Sequence, residues 1–180
     1  DCEIAHIKWC GSARRLVIIY ENQNIDLLNA GGTVTNISDY YNKPMTEDKT
    51  VNSIYVDGNY AYLSTGFGII KLNVKDAEIS DTYDLGFKVN YSYIRDGKIY
   101  AASGTNGLFA ASTNSNLQDK DKWTRVGDYT PKSTDIDATL LATAKAANPG
   151  GPKYNHFHFM TFQNNRLYTS GGYFASGGED

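Results

Sequence analysis

Apolar positions along this chain come in short runs, rich in Val, Ile, Leu and Tyr and broken by Gly, Asn, Asp and Lys. Runs this short, bounded by turn residues, predict strands. The first group covers residues 4–10, 16–20, 25–28 and 33–37, with Ala30-Gly31-Gly32 as a turn. A second covers 51–56, 60–64, 69–74 and 79–83, with turns at Asp57-Gly58, Gly66-Phe67-Gly68 and Lys75-Asp76-Ala77-Glu78. A third covers 90–94, 99–103, 108–112 and 123–126, with turns at Asp96-Gly97 and Asn106-Gly107. Residues 134–147 break the pattern. Thr134 or Asp135 can cap a short helix there, the alanines favour it, and Asn148-Pro149-Gly150-Gly151-Pro152 ends it.

The groups are copies of one another. The stretch 56–69 is echoed without a gap by 95–108, an offset of 39 residues from Gly68 to Gly107. An earlier copy at 15–25 lies 44 residues before the second, Asn24 to Gly68. A later one at 164–172 lies 68 residues beyond the third, Tyr100 to Tyr168. Strand-only repeats of roughly 40–45 residues are the signature of β-propeller blades. The expected fold is all-β: a propeller fragment of four-stranded antiparallel blades with one short helical connector. Residues 1–127 are read as three blades, 128–153 as the connector, and 154–180 as the start of a further blade or of a second propeller. Gly68, Gly107 and Asn24 fall at equivalent places, which predicts a turn that needs a left-handed backbone there.

Composition narrows the class. Charge is near balance, with 17 basic and 20 acidic residues among 180 and a net of −3. That argues against a nucleic-acid partner, because no basic stripe is present. No run approaches the ~20 apolar residues that span a bilayer, so no membrane span is expected in this segment. The chain opens on Asp1-Cys2-Glu3 and stops on Gly177-Gly178-Glu179-Asp180, and both ends read as cut rather than finished. Cys2 and Cys10 on one continuous strand would stand about 26 Å apart at ~3.3 Å per residue, beyond disulfide reach.

Candidate chemistry is thin. His156 and His158 share a strand face, but His6 is the only other histidine and a metal site needs a third or fourth ligand. Asp119 with Asp121, and Asp135 with Asp137, are spaced like parts of a calcium loop without its glycine and distal glutamate. Glu3, Asp26, Glu47 and Asp81 could pair in a glycosidase cleft, though nothing in the sequence brings two of them together. No Gly-x-Ser-x-Gly nucleophile elbow is present. Gly68 and Gly107 lack the following helix that a phosphate loop requires. Catalytic residues, metal ligands and cofactors are therefore expected to be none. Recognition is expected on long polar loops, 39–50 and 113–122.

Residues 16–28, 34–39, 48–54, 61–69 and 79–86, in that order and spacing, resemble the N-terminal propeller of PorZ-type proteins, components of type IX secretion. The resemblance continues through Asn148-Pro149-Gly150-Gly151-Pro152-Lys153-Tyr154-Asn155 and 165–172, which are similar to the family's passage into its next propeller. It implies a secreted, periplasmic or outer-membrane surface protein of a Gram-negative bacterium, built from two propellers and a further β domain. It also implies a role with lipopolysaccharide and with a secretion-machinery protein. It transfers no binding residue. A second class stays open, the extracellular glycan-sensing propeller of a hybrid two-component regulator. Such sensors usually carry a Trp-Ile-Gly-Thr type of repeat, and Ala61-Tyr62-Leu63-Ser64-Thr65 and Tyr100-Ala101-Ala102-Ser103-Gly104 depart from it.

Overall fold

A computed structural model describes residues 2–131, 139, 142 and 159–170. The chain divides into two compact units, 1–132 and 133–180. In the first, β1 (Ile4–Cys10), β2 (Arg15–Tyr20), β3 (Ile25–Asn29) and β4 (Val34–Ile37) form one antiparallel sheet in chain order. A second sheet consists of β5 (Val51–Asp57), β6 (Tyr60–Thr65), β7 (Gly68–Asn73) and β8 (Glu78–Asp84). The third is β9 (Tyr91–Arg95), β10 (Lys98–Ser103), β11 (Gly107–Ser112) and β12 (Thr124–Gly127). In the second unit, β13 (Phe159–Gln163) pairs with β14 (Arg166–Ser170) as an antiparallel hairpin. The fold is all-β, and the three four-stranded sheets are propeller blades. Of the expected helical connector, Thr139 and Ala142 have helical backbone; the rest of 134–147 lies outside the described residues.

The first strands of successive blades are neighbours, β1 beside β5 and β5 beside β9, so the blades fan out from that line. Two cores fill the wedges. Between the first and second blades lie Val17, Ile19, Ile25 and Leu27 against Ala61, Leu63, Ile70 and Leu72. Between the second and third lie Tyr62, Ile69 and Tyr83 against Ile99, Ala101 and Ala111, with Val89 and Trp123 completing the cluster. Each fully buried Leu or Ile contributes at most about 1.5–3 kcal/mol. The second blade is apolar on both faces, which accounts for its nearly continuous burial from Ala61 to Thr65 and from Gly68 to Ile70. Polar side chains stitch the wedges. His6 Nε2 donates to the Val51 carbonyl (2.8 Å), Gln23 Oε1 accepts from the Val51 N–H (2.9 Å), and Arg15 Nη1 donates to the Val74 carbonyl (2.9 Å). Across the other wedge, Ser64 Oγ donates to Ser92 Oγ (2.9 Å) and Tyr55 Oη to the Ile94 carbonyl (3.2 Å).

The register corrects the ungapped echo. Asp57 pairs with Tyr60, so the β5–β6 turn is Gly58-Asn59 rather than Asp57-Gly58. Arg95 pairs with Lys98 around Asp96-Gly97, whose φ values of 50° and 71° are those of a type I′ turn. Tyr60 therefore occupies the place of Lys98, an offset of 38 residues, whereas Gly68 and Gly107 keep 39. The extra residue sits in the next turn, where Gly66-Phe67 in the second blade becomes Gly104-Thr105-Asn106 in the third. A one-residue slip exchanges the two faces of a strand. In the true register Tyr62 matches Tyr100, and each faces a cross-strand tyrosine, Tyr55 and Tyr93 respectively. These rings lie 6.3 Å and 4.6 Å apart.

The shared left-handed turn position is corrected too. Gly107 has φ 91°, but Gly68 and Asn24 do not have positive φ. Gly68 is small for another reason: a Cβ there would overlap the Tyr83 carbonyl oxygen of β8. In the first blade Gln23 takes the left-handed conformation, φ 70°, one residue before Asn24. Its N–H closes a tight turn on the Tyr20 carbonyl (2.8 Å), leaving a three-residue loop that ends left-handed.

Candidate functional site

Of the carboxylates and histidines singled out in the sequence, His6, Asp26 and Asp119 make structural hydrogen bonds. His6 spends its Nε2 proton on Val51, as above. His156, His158, Asp135 and Asp137 lie outside the described residues. Asp119 caps a single 3-10 turn at Lys120–Lys122 by accepting from the Asp121 N–H (3.0 Å), and its other oxygen lies 3.9 Å from Lys122 Nζ. Asp26 accepts from Tyr20 Oη (2.9 Å) and Asn36 Nδ2 (2.7 Å). Glu3 precedes β1, Glu47 sits in an exposed loop and Asp81 is on β8. Among the described residues, no group of three or more His, Cys, Asp or Glu could hold a metal ion. Both cysteines are free thiols, Cys2 exposed and Cys10 buried.

Of the two loops expected to recognise a partner, 39–50 is ordered in part by its own hydrogen bonds. Its start is a short helix, α1 (Asp39–Asn42), and Tyr40 is only 2% exposed. Tyr40 Oη donates to the Lys49 carbonyl (2.5 Å), and Lys49 Nζ returns to the Tyr41 and Lys43 carbonyls (2.8 and 3.1 Å). Asp48 accepts from the Thr50 N–H, and that bond holds its carboxyl below the usual range. The Tyr40 ring joins the core between the first and second blades, while Tyr41 and most of the rest of the segment stay exposed.

Both loops line concavities: residues 39–47 line two hollows beside Phe67 and Thr82, and the loop after β11 lines a cleft of its own. Residues 113–118 cross from β11 over the wedge between the second and third blades and wall a cleft of about 230 Å³. The opposite wall is one face of the second blade: Tyr62 on β6, Lys71 on β7, and Asp81 and Tyr83 on β8. Strand register makes this face, since Tyr62 pairs with Lys71 and Lys71 with Asp81. Ile94 and Ile99 of the third blade form the floor. Gln118 Nε2 donates to Asp81 Oδ1 (2.9 Å) and ties loop to blade. Trp123 anchors the loop from behind, its indole N–H donating to the Leu117 carbonyl (3.0 Å) and its ring lying 6.4 Å from Tyr83. Lys71 Nζ sits 4.3 Å over the Tyr60 ring.

Burial raises both phenols that face the cleft. Tyr62 is pushed up to about 12, helped by the nearby Asp57, and Tyr83 rises further, with Asp81 adding to the effect. At neutral pH both are protonated and able to donate. The cleft thus offers two phenols, one carboxylate, one ammonium and the amides of Asn116 and Gln118 on a mainly polar lining. Loop 113–122 was singled out in the sequence as long and polar, and its residues 113–118 wall this cleft. Tyr62, Lys71, Asp81 and Tyr83 were missed, because they belong to strands and only the register and the blade fan bring them under the loop.

Residues 1–124 match the family model described as the N-terminal β-propeller domain of the type IX secretion protein PorZ. Among solved structures, the chain is similar to PorZ of Porphyromonas gingivalis, an essential bacterial surface component of the type IX secretion system of that organism. Identity is 34% and the TM-score 0.63, over 69% of this chain. The chain covers 17% of that protein's length. The comparison with curated proteins gives no match.

Proposed function

Because the chain belongs to the PorZ N-terminal β-propeller family, we propose that it is a non-catalytic binding scaffold of the cell envelope that serves type IX secretion. The reading rests on the family match over the three described blades. It puts the protein in the periplasm, among secreted proteins or on the outer-membrane surface of a Gram-negative bacterium. Its partners are lipopolysaccharide or a protein of the export machinery, met through blade loops and the propeller face. Residues 154–180 begin a further blade or a second propeller after the connector at 128–153. The absence of catalysis is supported by the uses found for the candidate groups: His6, Asp26 and Asp119 are each spent on a structural hydrogen bond. Among the described residues no helix is long and apolar enough to cross a membrane. The test is deletion of the full-length gene, followed by assay of exported proteins at the cell surface. Loss of their surface attachment is expected. Normal attachment in the deletion strain, together with glycan hydrolysis by the purified protein, would overturn the reading in favour of an enzyme.

A further inference from the structure

We infer that the cleft between the second and third blades binds one pyranose ring of a neutral sugar, with Asp81, Tyr62, Tyr83 and Gln118 as its hydrogen-bonding groups. The inference rests on the reading of the chain as a binding scaffold and gives that scaffold a definite subsite.

Size is the first support. About 230 Å³ suits a single sugar ring and falls below the ~300–1,000 Å³ of sites for larger ligands. The second is unspent hydrogen-bonding capacity. Gln118 engages only Oδ1 of Asp81, and among the described residues nothing bonds Asp81 Oδ2, Tyr62 Oη or Tyr83 Oη. Sugar hydroxyls donate to a carboxylate oxygen and accept from a phenol, so a polyol satisfies all three at once. The third is the lining: Tyr62 and Tyr83 are largely buried, so the cleft exposes mainly polar groups, with Thr113, Ser115 and Asn116 of the loop beside Gln118, as a polyol requires.

Charge decides between sugar classes. Lys71 and Asp81 are cross-strand partners on this wall, so it carries one charge of each sign. Their balance favours a neutral ring over a uronic acid or an amine. Hydrolysis is not expected here, since glycoside cleavage by the usual route needs two carboxyl groups about 5–9.5 Å apart, and Asp81 is the one carboxylate on the lining.

The test is saturation-transfer NMR with equilibrium titration of the full chain. The probes are galactose, mannose, rhamnose and N-acetylglucosamine as free sugars, and a deacylated bacterial O-polysaccharide. Saturable binding of at least one probe is expected, weakened at least fivefold by Asp81→Asn and by Tyr83→Phe, and unchanged by Asp76→Asn on the exposed β7–β8 turn. Gln118→Ala, on a surface loop, provides a variant that spares the blade if Tyr83→Phe lowers stability, and it is expected to weaken binding in the same sense. Binding of the free sugars identifies a monosaccharide site; binding of the polysaccharide alone identifies a ring within a glycan chain. Either supports the inference. No binding of any probe, or equal affinity in all three cleft variants, overturns it. A polysaccharide bound equally well by those variants would sink the cleft while leaving the scaffold reading intact, which the deletion strain tests separately.

Discussion

Gly68 shows how a single residue can be fixed by its neighbour rather than by its own dihedral angles. Its backbone is ordinary, yet β8 runs so close that any Cβ would strike the Tyr83 carbonyl. Gly68→Ala is expected to destabilise the chain by about 2–3 kcal/mol, as overpacking against backbone does. Gly31→Ala should stay within about 0.5 kcal/mol, since nothing lies within 4 Å of a Cβ there and φ is not positive. Urea unfolding midpoints of the two variants separate these outcomes. The buried phenols supply a second residue-scale prediction. Tyr40, Tyr62 and Tyr83 all have folded pKa values raised by burial above the ordinary ~10. The native state then holds protons that the unfolded chain has released, so their contribution is complete below pH ~10 and is lost as pH rises through the folded values. Denaturant midpoints should be level up to pH ~9 and fall between ~10 and ~12. A late, unfolding-linked rise in tyrosinate absorbance is expected alongside. Midpoints that stay level to pH ~12 would contradict it.

At the scale of elements, the strands were legible because alternation and turn residues agree: the strands of all three blades lie within a residue or two of their sequence-based bounds. What sequence could not supply was the phase between repeats. Asp57-Gly58 and Asp96-Gly97 look identical, and aligning them sets Tyr62 against Ala101. The pairing of Asp57 with Tyr60 shows that the two hairpins turn one residue apart, and a longer turn at Gly104-Thr105-Asn106 restores the step. Local residue identity favours the wrong alignment, because Asp-Gly is a good turn in either place. Hydrogen bonding across the ladder decides it, and that is non-local. The burial of Tyr40 eluded the sequence for a similar reason. The Tyr, Asn, Asp and Lys content of 39–50 reads as solvated loop, whereas Tyr40 is drawn inward by an apolar gap that belongs to the first and second blades together. The cleft walls are the same case again: each of Tyr62, Lys71, Asp81 and Tyr83 is an ordinary strand residue until a loop 30 or more positions downstream of Asp81 closes over them.

For the whole of the first unit, the feature with the widest reach is the unequal covering of the blades. The second is enclosed on both faces, while β1 leaves Ile4, Ile7 and Trp9 at least half exposed and the third blade presents Tyr91 and Val126 to solvent. A row of modules in which each touches only its neighbours behaves as a one-dimensional chain of coupled units, and the member with two partners is the last to yield. Hydrogen exchange on the full chain should therefore be slowest at the amides of β6 and β7, faster across β2, β3, β10 and β11, and fastest at β4 and β12. Uniform protection across the three blades would contradict this order. If it holds, the middle of these three blades keeps the native register longest and templates the return of the two beside it.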